Sequence, residues 1–204
     1  GSHLIRLAHD TKACPGVLDA LVGAAEETTS GLRPLRSFDL RIPVLASNDA
    51  RSKTLFDNAY GTGQSCWTTI LDLIDPDGVG APVAGMSVVV IGYGDVGRGC
   101  ARFGAAFGAR VTVVELDPVR ALQASMDGFA VASLQEAAAS AGMLISATGE
   151  RATIPLSALE AAPEGAIVTV AGGVDGEVSI DEALAASWVM AESGDPHVQT
   201  LTSP

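Results

Sequence analysis

MSVVVIGYGDVGRGCARFGAAFGARVTVVELD, residues 86–117, is the stretch that decides the fold. An apolar run from Ser87 to Ile91 meets Gly92-x-Gly94-x-x-Gly97, then a helix pattern of small residues, then a β-branched run ending at Glu115. In that order the glycines have distinct tasks. Gly92 allows the tight turn after a strand, Gly94 lets backbone approach a pyrophosphate, and Gly97 lets the helix pack closely on the sheet. The helix start, with Asp95 and Val96, aims N–H groups and a positive dipole end at the phosphates. Glu115 ends the second strand, where a carboxylate accepts hydrogen bonds from a ribose diol and repels a 2′-phosphate. The expected cofactor is therefore NAD rather than NADP.

From Met86 onward strand and helix patterns alternate. Strands are expected at 87–91, 110–115, 129–132, 143–147, 166–171 and 187–191, and helices at 95–107, 118–126, 134–141, 155–162 and 180–186. Such alternation predicts an α/β fold, a Rossmann doubly wound parallel sheet with helices on both faces. Upstream, residues 17–26 read as a short helix with Val17, Leu18, Leu21 and Val22 on one face. Leu40 to Ala46 reads as a strand interrupted by Pro43, and Ser52 to Leu73 as a helix weakened at Gly61 and Gly63. Asp75-Pro76-Asp77-Gly78 is a breaker. The expected organisation is a partial substrate-binding segment (1–50), a linker helix (51–78), the dinucleotide-binding domain (79–191) and a tail (192–204).

Composition narrows the partners. The 204 residues carry 24 acidic against 12 basic side chains, a net charge of −12, which argues against a nucleic-acid backbone. Hydrophobic residues make up 48%, with few aromatics, as suits strands buried on both faces. No stretch reads as a membrane span or a secretory signal, so a cytoplasmic location and no membrane partner are expected. Cys14, Cys66 and Cys100 lack metal-ligand spacing and read as reduced thiols, with no metal expected. Gly1-Ser2-His3 reads as a vector-derived scar. His9 and His197 read as surface or core residues, Trp67 and Trp188 as packing residues, and Tyr93 as a residue flanking the cofactor.

Three segments go beyond a generic dinucleotide fold. They are Glu26-Glu27-Thr28-Thr29-Ser30-Gly31, Asn48-Asp49 with Lys53-Thr54-Leu55-Phe56-Asp57-Asn58-Ala59-Tyr60-Gly61, and Gly92-Tyr93-Gly94-Asp95-Val96-Gly97-Arg98-Gly99-Cys100. Together with Glu115-Leu116-Asp117-Pro118 and Thr148-Gly149, they resemble S-adenosylhomocysteine hydrolase over most of residues 25–185. The resemblance implies bound NAD that oxidises a nucleoside 3′-hydroxyl, acidifies the 4′ C–H and permits elimination of a 5′ group. It implies Lys53 as base for that hydroxyl, Asp57 as its hydrogen-bonding or proton-moving partner, and Glu27 on the ribose diol. Thr28, Thr29, Ser30, Asn58 and Thr148 would join the glycine motif around the cofactor. By spacing alone, Lys53 and Asp57 read as a surface i,i+4 ion pair, and only the joint match of the three segments favours catalysis.

The sequence also departs from the family. Thr62-Gly63-Gln64 stands where Cys-Arg-Glu is common, and Gly173 stands where a histidine follows the strand. By the resemblance, the chain holds the redox half of a site and lacks much of the 5′-leaving-group half. The expected partners are an adenosine-type nucleoside and either a second copy or a complementary chain supplying missing substrate-domain residues. Alternatives are a nucleoside dehydratase and a non-catalytic NAD-binding subunit.

Overall fold

A computed structural model describes residues 1–80 and 82–204. The chain divides into two compact units, Gly1–Asp57 and Asn58–Pro204.

The first unit is small. It carries α1 (His3–His9), α2 (Val17–Ala20), β1 (Ala24–Glu26), α3 (Thr29–Leu35), β2 (Val44–Ala46) and α4 (Arg51–Lys53). β1 and β2 pair in parallel, Ala24 opposite Val44 and Glu26 opposite Ala46. The helix expected over 17–26 is thus only α2, because the chain is extended again at Ala24. The expected strand 40–46 survives only after Pro43, whose carbonyl accepts from Ala24 N at 3.0 Å. Thr28 caps α3, its hydroxyl accepting from Gly31 N at 3.0 Å. His9 packs edge-on against Phe38 and bonds Ile5 O and Arg41 N at 2.7 and 3.0 Å, so its ring is structurally satisfied.

The helix expected over 52–73 forms in pieces. α4 passes into a wide π-helical stretch, Thr54–Thr62, and then α5 (Gly63–Ile74). The boundary between the units falls inside that stretch.

The second unit builds a five-stranded parallel sheet from β3 (Ser87–Ile91), β4 (Arg110–Val114), β5 (Ala130–Val131), β6 (Met143–Ser146) and β7 (Ile167–Val170), in spatial order β5-β4-β3-β6-β7. The crossovers are α6 (Asp95–Ala106), α7 (Pro118–Met126), α8 (Leu134–Ala138) and α9 (Leu156–Ala161). Strand alternation sends neighbouring residues to opposite cores. Val88, Val90, Val111, Val113, Met143 and Ile145 pack with Trp67 and Cys100, while Val89, Ile91, Val114 and Leu144 pack with Ile154, Leu159 and Ala183. Trp67 is fully buried, its Nε1 donating to Cys100 O at 2.7 Å. The three cysteines are free thiols.

The last expected strand is a correction. After α10 (Ile180–Ala185), β8 (Val189–Glu192) does not join the parallel sheet. It pairs antiparallel with β9 (Gln199–Thr202), Met190 opposite Leu201, as a separate ribbon. Trp188 packs against the second core from its margin. No described helix is long and apolar enough to cross a membrane.

Candidate functional site

The strand order reverses between β3 and β6, one carrying the chain outward to β4 and β5, the other to β7. In such sheets the ligand crevice lies beyond the carboxyl ends of the strands at this switch. Gly92, just past β3, has φ +91°, a conformation that favours glycine. Beside it, Thr148 follows β6, and a Cβ on Gly92 would lie 2.9 Å from the Thr148 methyl. A Cβ on Gly97 would overlap the Gly92 carbonyl oxygen, so α6 can close on the turn only without a side chain. At Gly94 the added carbon meets nothing nearer than Arg120 Nη1 at 3.9 Å, so the space over the start of α6 is open. The first N–H groups of this helix have no intrahelical acceptor. These residues fit a pyrophosphate.

Glu115 is held in place by its own loop. Tyr93 N donates to Oε2 at 2.7 Å, and Leu116 N and Asp117 N donate to Oε1 at 2.7 and 2.9 Å. Three donors leave a carboxylate with capacity for a ribose hydroxyl. Asp95 pairs with Arg98 at 2.5 Å, which offsets the acidic charge beside the phosphate position. Val96 packs against the first core, and Asn58 is buried. Tyr93 does not flank the crevice. Its ring is buried against Phe129 and its hydroxyl donates to Asp127 at 2.8 Å. Burial, then that carboxylate, push its pKa upward.

In the first unit a second cluster forms. Lys53 Nζ lies 3.1 Å from Asp57 Oδ2 and 3.5 Å from Asn48 Oδ1. Thr29 Oγ1 reaches the same Asn48 oxygen at 3.4 Å. Asn48 is buried and the Lys53 side chain is 20% exposed, whereas Asp57 is 59% exposed. Lys53, Asp57 and Thr29 are thus brought together, with Asn48 as an anchor absent from the sequence-derived site. The Asn48-Asp49 pair was visible, but not that one amide would bridge two chain segments.

Glu27 is exposed, and Ser30 sits in the first turn of α3. The neighbouring Glu26 is the buried carboxylate. It accepts from Thr28 N at 2.9 Å, Thr28 Oγ1 at 2.5 Å and Ser2 N at 2.7 Å. Burial opposes its ionisation, but these hydrogen bonds outweigh it and hold its pKa below the usual carboxylate value.

The second unit also contains a polar group that the sequence did not single out. Ser146 and Thr148 donate to the buried carboxylate of Glu177, and Thr153 bonds both of their hydroxyls. Ser146 carried a faint signal, a hydroxyl ending an otherwise apolar buried strand, but Glu177 sits in an ordinary-looking polar loop. Beside it lies a cavity of about 580 Å³ lined by Val170, Gly172–Val178 and Ile180. No cluster of three or more potential metal-ligating side chains occurs among the described residues.

Residues 59–204 match the S-adenosyl-L-homocysteine hydrolase family in its NAD-binding domain. The chain is 43% identical over 182 residues to an adenosylhomocysteinase of Pyrococcus abyssi, covering 87% of this chain and 42% of that protein. It is 40% identical over 183 residues to an S-inosyl-L-homocysteine hydrolase of Methanothermobacter thermautotrophicus, covering 88% of this chain and 42% of that protein. The chain thus spans about two fifths of the length of these curated relatives. Among solved structures it resembles the dipicolinate synthase A chain of Bacillus subtilis, with a TM-score of 0.60 over 80% of this chain and 53% of that one. At 14% identity this likeness speaks for the fold alone.

Proposed function

The chain belongs to the S-adenosyl-L-homocysteine hydrolase family, and from that premise we propose that it serves transient 3′-oxidation of an adenosine-type nucleoside, followed by elimination at C4′–C5′. The observation that carries this reading is the Lys53–Asp57–Asn48 cluster, because NAD binding alone does not need it. Bound NAD supplies a reversible hydride acceptor. Gly92, Gly94 and Gly97 would seat its pyrophosphate, and Glu115 its adenosine ribose. Lys53 would take the proton from the 3′-hydroxyl. Asp57 and Asn48 fix the position of Nζ, and the exposed Asp57 carboxylate offers the proton a route onward. The 3′-ketone makes the C4′ proton acidic; that proton passes to water, and the electron pair left at C4′ forms the C4′–C5′ double bond as the 5′ group departs. Thr28, Thr29, Ser30, Asn58 and Thr148 are proposed to surround the nicotinamide end, and Glu27 to hold the substrate diol.

The relatives' names include both adenosyl and inosyl homocysteine hydrolases, so hydrolysis of an S-nucleosylhomocysteine is the leading reaction. A second reading, loss of water from a nucleoside, is favoured by Gly173. This residue lines the cavity after β7 where the family commonly has a histidine, so the 5′ side is altered while the 3′-oxidation residues, which a dehydratase equally needs, are retained. A further copy or a complementary chain is proposed to complete the substrate side of the site.

The test uses Lys53→Met, which keeps much of the volume and removes the amine. We expect solvent-deuterium exchange at C4′ of an adenosine-type nucleoside to fall roughly 10²–10⁴-fold, the scale of general-base catalysis, with NAD affinity unchanged. The 3′-deoxy nucleoside should be inert. Exchange that survives in the variant, or turnover of the 3′-deoxy compound, overturns the reading. Product analysis then separates homocysteine release from alkene formation by dehydration.

A further inference from the structure

Glu177 is 1% exposed, yet its carboxylate is only half satisfied. Oε2 accepts from Ser146 Oγ at 2.5 Å and Thr148 Oγ1 at 3.3 Å. Thr153 Oγ1 completes the group, 3.0 Å from Ser146 Oγ and 3.1 Å from Thr148 Oγ1. Oε1 is buried with no hydrogen-bond partner among the described residues. It lies against Gly172, where a Cβ would overlap it. No described cation forms an ion pair with this carboxylate. A half-satisfied acid in the interior is costly and calls for an explanation.

Its place in the fold offers one. Ser146 ends β6, Thr148 lies two residues beyond, and Gly172 lies two residues beyond β7. Thr148 carries its hydroxyl to Glu177 and its methyl to Gly92. The carboxylate is therefore one side chain away from the first glycine of the dinucleotide motif, beneath the carboxyl ends of the strands that border the crevice. Where such a carboxylate is ionised, its field acts over several ångströms with little screening. The oxidised nicotinamide ring is cationic, and the reduced ring is neutral.

We infer that Glu177 is a positioning residue whose buried carboxylate, held by Ser146 and Thr148, biases the dinucleotide site toward the oxidised, cationic nicotinamide. It touches neither ring nor substrate. It acts through Thr148 and through its field. A cofactor that must return to its oxidised form in each cycle is served by such a bias. The inference rests on NAD occupying the crevice.

The experiment measures dissociation constants of NAD⁺ and NADH for the full chain and two neutral variants, Glu177→Gln and Glu177→Met, with Glu177→Asp as the charge-retaining control. Neutralisation should weaken NAD⁺ relative to NADH on the order of tenfold, the scale of losing one lightly screened unit charge. Glu177→Asp should keep the wild-type ratio. A purely architectural role would weaken both dinucleotides equally, and that result overturns the inference. An aspartate variant that shifts the ratio as far as glutamine does also overturns it. If neither neutral variant folds, the carboxylate serves the fold alone and the inference fails. If the unaltered chain binds neither dinucleotide, the cofactor reading itself fails, an outcome distinct from binding with an unchanged ratio.

Discussion

At the scale of single residues, the dinucleotide motif is legible because Gly92 and Gly97 answer steric demands that no other residue meets. Gly97 is required by the carbonyl of Gly92, and Gly92 by its own φ of +91°. Glu115 follows the same logic in electrostatics. Three backbone N–H groups fix its carboxylate, so if Glu115 holds the ribose as proposed, its orientation is set before any ligand arrives. Glu115→Ala should weaken NAD by about 1.5–3 kcal/mol, the scale of a hydrogen bond to a charged group. Calorimetric titration checks this, and equal affinity in both forms rules the assignment out. The less legible residues are those whose role depends on burial. Glu26 and Glu27 are adjacent and chemically identical, yet only Glu26 turns inward to accept three donors. Glu177 stands in a Gly-rich polar loop and becomes notable only because the chain folds it under Ser146 and Thr148.

At the scale of elements, alternation of apolar strands with helices was enough to foresee β3 to β7, because double-sided burial forces near-continuous Val, Ile and Leu runs. It misled at 187–191, where an equally apolar run pairs antiparallel with Gln199–Thr202. Pattern records that a segment is extended, not which edge it finds. The departure at Gly63 has a packing reason that sequence comparison could not supply. A Cβ on Gly63 would come within 2.7 Å of the Gly99 backbone, and one on Gly99 would overlap Ala59 O. The two glycines let α5 and α6 meet backbone to backbone, with Trp67 sealing the contact through Cys100 O. A long cationic side chain at position 63 would force the helices apart. Gly99→Ala is accordingly expected to destabilise the second unit by about 1–3 kcal/mol, the usual cost of overpacking. Urea titration followed by far-UV circular dichroism measures it, and an unchanged midpoint would show that the helices yield freely.

At the scale of the whole molecule, the two units differ in how much apolar surface each encloses. The second unit buries two sheets of side chains, one on each face of β3 and its neighbours. The first encloses little beyond Ile5, Ala8, Leu32 and Leu35, and leaves Leu4, Val22 and Leu45 exposed at 82%, 94% and 71%. Exposed apolar side chains on this unit agree with the proposal that another chain or a further copy covers it. Since stability scales with the area removed from water, the first unit should open at lower denaturant than the second. NAD should sharpen the contrast, because Gly92, Gly94, Gly97 and Glu115, the residues proposed to hold it, all lie in the second unit. A ligand that binds only the folded form stabilises it by about 2.7 kcal/mol at a hundred times its dissociation constant. Hydrogen exchange read by mass spectrometry across a urea series should therefore show residues 24–46 losing protection first, at a concentration indifferent to NAD. Residues 87–146 should lose protection later, at a concentration that rises with NAD. One coincident transition for both segments, moving together with the cofactor, would mean that the chain unfolds as one cooperative body and that the sparse core of the first unit does not set its stability.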